Sequence, residues 1–373
     1  MLFIMRVLLL VGCCFYGVLG DVSQSQCPCK DPSHCQLVKA PPRKELFVFR
    51  TGDKDDWKQY DWSYITTVAV FGPYDPDLMC YAHSKGARYV FSADYPAKQL
   101  NNATARSAWV KQQVNTALSG FLDGINIDFE ATLSESEAPD LVALVNETAK
   151  AFKQANPHAQ ISFDTPYAPG CTWGRCYDYK NLSESCDFLV LMNYDMNADA
   201  DMAISNDPFQ RIKIGVESFQ ADGIPANKLV PAFPWYGYDY ECTHVLKDDI
   251  CSKIGYQRYN APSPTQVCYS GITQMLKDLK MVGTLNSTFV SKFYDYTDKT
   301  TGKPHQVWYD DPETLTVRYL YAKHADLRGV AMWHAECLDY GPDPATQKLT
   351  KAMWDAIDEF FQLEKGGRES CIE

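Results

Sequence analysis

The stretch Asp123-Gly124-Ile125-Asn126-Ile127-Asp128-Phe129-Glu130 decides how this chain is interpreted. Side chains of an extended strand alternate between faces, so Asn126, Asp128 and Glu130 point one way and the apolar side chains point the other. Two carboxylates two residues apart repel each other, which predicts a raised pKa for at least one of them. A surface strand with solvated acids is the alternative, but the flanking apolar residues disfavour it. An acid with a raised pKa at a strand end suits general acid catalysis.

Seven other short apolar runs have the character of buried strands: 45–49, 65–71, 87–91, 160–163, 188–193, 228–233 and 329–333. Helical patterns fall between many of these runs and after the last: 105–118, 138–155, 208–221, 312–325 and 345–363. Eight strands that alternate with helices predict a parallel (β/α)8 TIM barrel of the α/β class. An open doubly wound sheet is the second choice, because no glycine-rich nucleotide motif follows the first strand. The catalytic face of such a barrel lies at the C-terminal strand ends, where Glu130 falls.

The interval between the seventh and eighth strands is far longer than one loop and one helix require. We expect residues 237–310 to form a small inserted lobe, with short strands of its own around 293–296 and 306–309. The predicted organisation is a signal peptide at 1–20, a Cys- and Pro-rich lead-in at 21–44, the barrel at 45–363 and a tail at 364–373.

The composition excludes some classes of function. The 373 residues carry a net charge of −12 with a pI of about 5.1, and no Lys/Arg cluster stands out. Nucleic-acid binding needs clustered cations, so we expect no nucleic-acid partner. Nothing in the sequence resembles a phosphate loop or a metal-ligand cluster, so we expect neither a cofactor nor a metal.

Several features predict passage through the secretory pathway. Residues 1–20 have one Arg, an apolar stretch too short to span a membrane comfortably, and a small-residue exit. The twelve cysteines beyond this segment are an even number, which favours disulfides in an oxidising compartment, although their pairing stays open. Four N-glycosylation motifs begin at Asn102, Asn146, Asn181 and Asn286.

Three motifs resemble those of the family 18 glycoside hydrolases, the chitinases and their relatives. The stretch 123–130 resembles the family signature D-G-x-D-x-D-x-E, Met192-Asn193-Tyr194-Asp195 resembles M-x-Y-D, and Trp333 ends the eighth strand like the tryptophan that floors the sugar site. Asn126 departs from the signature because it replaces the first acid of D-x-D-x-E. Having no charge, it is expected only to hydrogen-bond Asp128.

The resemblance implies substrate-assisted catalysis, in which the sugar's own acetamido group is the nucleophile and an oxazolinium ion forms. It implies that Glu130 is the general acid and base, that Asp128 orients the acetamido N–H, and that Tyr194 donates to the acetamido oxygen. Asp195 is expected near the sugar. Trp235, at the end of the seventh strand, is expected to line the cleft, and Asp123 is expected to hold the strand turn.

Longer strings, such as Tyr60-Asp61-Trp62-Ser63, are similar to a lysosomal branch of the same family. That similarity implies an exo-acting, retaining enzyme that splits the GlcNAcβ1-4GlcNAc core of asparagine-linked oligosaccharides from the reducing end. An endo-chitinase and an inactive chitinase-like lectin are the alternatives. The expected partners are N-acetylglucosamine oligosaccharides, the expected state is a monomer without a membrane anchor, and the expected location is the lysosome, with secretion as the alternative.

Overall fold

The computed structural model describes residues 26–197, 201–245, 251–252 and 264–362. The predicted signal peptide and C-terminal tail lie outside these ranges. No helix in the described ranges is both long enough and apolar enough to cross a bilayer.

Eight parallel strands close into a barrel, in the order β1-β15-β7-β6-β5-β4-β3-β2. Their bounds are β1 Glu45–Arg50, β2 Thr67–Val70, β3 Arg88–Ala93, β4 Gly124–Ile127, β5 Gln160–Pro166, β6 Phe188–Met192, β7 Leu229–Pro234 and β15 Gly329–Trp333. These strands are almost entirely buried because helices cover one face and barrel side chains fill the other. The predicted (β/α)8 barrel is confirmed, and closure excludes the open doubly wound sheet.

Nine helices lie in the described ranges: α1 Pro76–Ser84, α2 Ala103–Ser119, α3 Ala138–Ala155, α4 Tyr179–Ser185, α5 Phe209–Ala221, α6 Tyr269–Leu279, α7 Pro312–His324, α8 Pro344–Asp355 and α9 Asp358–Phe361. Several begin at a side chain that accepts a backbone N–H, as Asp75, Asn102 and Asp343 do. The single helix expected at 345–363 is two helices, α8 and α9.

An antiparallel sheet follows β7, in the order β11-β8-β14-β13-β12. Its strands are β8 Tyr236–Glu241, β11 Thr265–Cys268, β12 Thr284–Asn286, β13 Ser291–Thr297 and β14 Pro304–Tyr309, and the short pair β9 His244–Val245 and β10 Cys251–Ser252 lies beside them in sequence. The strands expected at 293–296 and 306–309 fall within β13 and β14.

Five disulfides join described cysteines: Cys27–Cys35, Cys29–Cys80, Cys171–Cys176, Cys242–Cys251 and Cys268–Cys337. Cys186 is a buried free thiol, and Cys371 lies outside the described residues. The bonds at Cys27 and Cys29 tie the lead-in to itself and to α1, while Cys268–Cys337 ties the sheet to the loop after β15.

Gly124 lets the fourth strand start against the fifth. A Cβ at this position would lie 1.9 Å from the Gln160 carbonyl oxygen, so a side chain cannot be accommodated without moving β5. Asn126 is level with Ser162 and Ile127 with Phe163 in the β4–β5 ladder. The close approach therefore sets the register that carries residues 128–130 to the C-terminal end of the barrel.

Candidate active site

A cavity of about 300 Å³ opens at the C-terminal end of the barrel strands. Its lining comes from several strand ends and the loops after them: Asp128, Glu130, Asp164, Trp173, Arg175, Met192, Tyr194, Asp195, Tyr236, Gln266 and Trp333. The cavity thus brings together the acids after β4, the M-x-Y-D residues after β6 and the tryptophan that ends β15. These segments are far apart in sequence, and only barrel closure makes them neighbours.

Glu130 stands at the entrance of this cavity, with 49% of its side chain exposed, in an ion pair with Arg175. Arg175 is itself buried and its guanidinium carbon lies 5.2 Å from the centre of the Trp173 ring. Trp173 and Arg175 belong to the loop after β5, which the Cys171–Cys176 disulfide closes. The loop therefore forms one wall beside Glu130, with a cation and an aromatic ring facing the cavity.

The expected rise in carboxyl pKa falls on Asp128. Burial, the Glu130 charge and a hydrogen bond with Glu130 raise the pKa of Asp128 to about 7, against a smaller opposite effect of Arg175. A carboxyl with this pKa holds a proton in mildly acidic solution. Asp128 can therefore supply a proton, across one hydrogen bond, to the accessible side chain of Glu130.

Asn126 points into the barrel and is fully buried. Its Nδ2 donates to Asp164 Oδ1 at 2.8 Å and to Ser162 Oγ at 3.0 Å. The expectation that Asn126 bonds Asp128 is wrong, because the nearest acceptors belong to the neighbouring strand β5 and not to its own strand.

Asp164 is a cavity residue that the sequence interpretation missed. It is 2% exposed, and burial together with the Asp128 charge raises its pKa well above the usual range. The predicted fifth strand stopped at Phe163, three residues before β5 ends at Pro166, and so left Asp164 out. A carboxylate directly after an apolar run in an alternating β/α chain was the available signal, and the same signal had identified Asp128 and Glu130.

Tyr194 and Trp333 form the aromatic part of the cavity, with ring centres 6.3 Å apart. Trp333 rests edge to face on Phe49 and Phe71, which fixes its ring at the barrel mouth. Tyr194 is 6% exposed, and burial raises its pKa well above the usual range. The hydroxyl is therefore neutral in mildly acidic solution and can donate a hydrogen bond.

Asp195 is held by a set of local contacts. Its backbone has a left-handed φ of 55°, and its N–H donates to Asn206 Oδ1 at 2.7 Å. Its Oδ1 accepts from the hydroxyls of Tyr236 and Tyr238 at 2.7 and 2.6 Å. The carboxylate is thereby fixed at the cavity wall, where the sheet containing β8 meets the barrel.

Besides Asn126, two more predicted site residues lie outside the cavity lining. Trp235 is 1% exposed, and its ring centre lies 5.0 Å from that of Trp354 in α8. It therefore faces the helix layer, and Tyr236 takes the place in the cavity expected for Trp235. Asp123 lies at the opposite end of β4, where it accepts from His83 Nε2 and from the backbone N–H groups of Val38 and Tyr89. Asp123 therefore lies at the N-terminal end of the barrel strands, away from the cavity.

The four glycosylation motifs differ in accessibility. Asn102 and Asn181 are exposed near the starts of α2 and α4, whereas Asn146 and Asn286 are half-buried. In the described ranges, the two clusters with metal-ligand composition are Cys27–Cys29–Cys35 and Cys268–His334–Cys337. All five cysteines of these clusters are in disulfides and provide no thiolate for a metal. The expected absence of a metal stays a prediction.

A larger cavity, of about 910 Å³, lies beside α6 and the start of α8. Its lining includes Lys54, Lys277, Glu336 and Asp343 but none of the acids after β4. The smaller cavity is the candidate site because the catalytically competent groups converge there, whereas volume alone indicates no chemistry.

Comparison with known proteins gives a family and close relatives. The model of the glycosyl hydrolases family 18 matches residues 89–337. The di-N-acetylchitobiase of Mus musculus is 40% identical over 349 residues, which cover 91% of this chain and 95% of the mouse protein. The human di-N-acetylchitobiase is 37% identical, with 89% and 88% of the two chains covered. A probable di-N-acetylchitobiase of Dictyostelium discoideum is 32% identical, with 96% and 100% covered.

Solved structures give the same fold at lower identity. A putative chitinase domain from Desulfitobacterium hafniense matches with a TM-score of 0.71 at 17% identity, covering 86% of this chain and all of that one. A family 18 chitinase from Cycas revoluta, solved in complex with (GlcNAc)3, matches with a TM-score of 0.68 at 17% identity, covering 84% and 99%. The closed eight-stranded barrel is therefore shared with chitinases.

Proposed function

The chain belongs to glycosyl hydrolase family 18 and is a glycoside hydrolase, and from that premise we propose that it hydrolyses the GlcNAcβ1-4GlcNAc bond from the reducing end. The observation that carries the proposal is the convergence of Glu130, Asp128, Tyr194 and Trp333 on one cavity of about 300 Å³. The similarity to di-N-acetylchitobiases supports the substrate class.

In the proposed reaction the acetamido carbonyl oxygen of the substrate attacks the anomeric carbon while Glu130 protonates the glycosidic oxygen. The glycosidic bond breaks, the reducing-end sugar leaves, and an oxazolinium ion remains. Water, deprotonated by Glu130, then opens the ring with net retention. An aligned internal nucleophile has an effective molarity on the order of 10⁵–10⁸ M, so no enzyme carboxylate needs to attack.

The other cavity residues have distinct proposed roles. Asp128, left as an anion when its proton passes to Glu130, accepts from the acetamido N–H and stabilises the positive charge. Tyr194 donates to the acetamido oxygen, and its high pKa keeps that donor in place. Trp333 stacks on the apolar face of the sugar, and Asp195 accepts from a sugar hydroxyl.

The limited size of the cavity supports a short substrate. The Trp173–Arg175 wall stands beside Glu130, the group that protonates the leaving sugar in the proposed reaction. A wall there leaves room for few sugars beyond the cleaved bond, which supports release of a single reducing-end GlcNAc. We further propose that the protein acts as a monomer in the lysosome after N-glycosylation, with Asn102 and Asn181 as the accessible acceptors.

The test is digestion of chitobiose and chitotetraose that carry a reducing-end label, by wild type and by Glu130→Gln, at mildly acidic pH. Stepwise release of labelled GlcNAc by wild type alone is the expected result. Labelled oligosaccharides from internal cleavage would replace the proposal with an endo-chitinase. Binding with no products at any pH would replace it with a lectin.

A further inference from the structure

The fourth and fifth strands carry a carboxyl side by side at the floor of the cavity. Ile127 is level with Phe163 in the β4–β5 ladder, and Asp128 and Asp164 are the next residues on each chain. Adjacent strands lie about 4.8 Å apart, and residues level with each other point to the same face. Both side chains line the same cavity, so the two carboxyls are neighbours.

The surroundings of Asp164 cannot neutralise two negative charges. The groups whose charges act on it or which respond to it are Asp128, Glu130, Arg175, Tyr194 and Cys186. Among them Arg175 is the cation, and it is in an ion pair with Glu130. Asn126 supplies one N–H to Asp164 Oδ1, which satisfies an acceptor but adds no charge. Two carboxyls in such a site hold at least one proton between them.

We propose that Asp164 is a positioning acid of this enzyme: it keeps a proton of its own, faces Asp128 across the β4–β5 pair, and supplies the second carboxyl that Asn126 lacks. The inference rests on the proposed function, since it assigns the carboxyl that supports Asp128 during that reaction. When Glu130 takes the proton from Asp128 and gives it to the leaving oxygen, the Asp164 O–H donates to the new Asp128 anion. Such charge-assisted bonds are roughly twice as strong as those between neutral groups.

The proposal has a clear consequence for an amide in place of the acid. Asp164→Asn keeps the shape and still accepts from Asn126, but its N–H is a weaker donor than the carboxylic O–H. We expect kcat to fall at least tenfold with KM changed less than threefold, because the loss falls on the charge that develops during reaction. The basic limb of the pH profile moves to higher pH. Without the Asp164 carboxyl, a second negative charge must be held by Asp128 and Glu130 alone, so these two groups keep their proton to a higher pH.

The decisive variant moves the acid back to β4. Asn126→Asp combined with Asp164→Asn keeps the number of carboxyls and places one on the other side of the same hydrogen bond. We expect the double variant to recover at least half of the lost activity on a logarithmic scale. Asp222→Asn, at an exposed residue after α5, is the control for an acid-to-amide change. Urea unfolding of every variant verifies that each one is folded.

These measurements separate the two proposals. Labelled chitobiose is the substrate between pH 4 and 8, and its hydrolysis by wild type tests the function itself. Full activity of Asp164→Asn with an unchanged pH profile would overturn the role of Asp164 while leaving the function intact, and so would a folded double variant no better than Asp164→Asn. Should Asp164→Asn not fold, Asp164→Ser, which also accepts from Asn126 and cannot ionise, must show the same loss.

Discussion

The acids at the N-terminal end of the barrel strands and the acids of the cavity have opposite surroundings. At the N-terminal end of the strands each acid has a partner: Glu45 pairs with Arg328 at 3.1 Å, Asp187 with Lys153 at 3.1 Å, and Asp123 with His83 at 2.7 Å. Backbone N–H groups complete the contacts of Asp123 and Asp187. A buried charge that is paired and hydrogen-bonded is stable in the ionised form.

At the C-terminal end, Asp128 and Asp164 lie next to each other and to Glu130, and the cation beside them is Arg175. The result is an excess of negative charge, which raises the affinity of these carboxyls for protons. The paired acids at the N-terminal end therefore stabilise the fold. The cavity acids Asp128 and Asp164 bind protons more tightly than exposed acids do, and their ionisation destabilises the fold.

The largest expected effect comes from the accessible acid. Glu130→Gln removes the group that protonates the leaving oxygen, and general acid–base catalysis is worth about 10²–10⁴-fold. Turnover of labelled chitobiose should fall by that factor, while the free energy of unfolding changes by less than about 1 kcal/mol, since half of the side chain is exposed. Residual turnover near the wild-type value would show that another group is the acid.

Asp123→Asn tests the opposite end. It breaks a buried pair with His83, so unfolding should become easier by about 2–4 kcal/mol, while kcat per folded molecule stays the same. Burial lowers the pKa of His83, but the bond and charge of Asp123 outweigh it and raise the pKa overall. In the wild type, the stability that the Asp123–His83 pair contributes is thus fully present below the pKa of an unfolded histidine and declines at higher pH.

Urea unfolding at pH 5 and pH 8 measures this dependence, and the loss should be larger at pH 5. Asp222→Asn is again the control. A loss of kcat without a loss of stability would place Asp123 in the chemistry and remove the distinction between the two ends.

Asp128→Asn should have a smaller and opposite effect on stability. The folded-state pKa of about 7 lies above the value of an unfolded aspartate, so the folded protein loses stability as pH rises from about 4 to 7. Removing the carboxyl should therefore raise the free energy of unfolding by about 1–3 kcal/mol at pH 7 and by much less at pH 4, although activity falls. Equal effects at both pH values would show that Asp128 is ionised in both.

The smallest expected effect is at the aromatic floor. Trp333→Phe keeps contact with Phe49 and Phe71 but reduces the surface under the sugar. Aromatic contacts of this kind contribute about 0.5–1.5 kcal/mol, so KM for chitobiose should rise about 2- to 12-fold. A change confined to stability, with KM unaltered, would assign Trp333 to packing alone.

The barrel could be predicted from the sequence because its eight strands are short apolar runs, and buried parallel strands have that composition. Helices α1 and α4 were missed because they are short, and α6 was missed because it lies in the inserted lobe, where only short strands were expected. The residues after β4 and β6 were found from their positions at strand ends. Asp164 and the true partner of Asn126 were not, because contacts between adjacent strands depend on the β4–β5 register, which no single segment specifies.

The most direct test of the contrast between the two ends is a ¹³C NMR titration of the aspartate carboxyls. The protein is labelled at aspartate, and Asp128→Asn assigns the signal of the cavity carboxyl. We expect one carboxyl that titrates near pH 7 and disappears in Asp128→Asn. An Asp128 signal that titrates near pH 4, like that of an exposed aspartate, would contradict it.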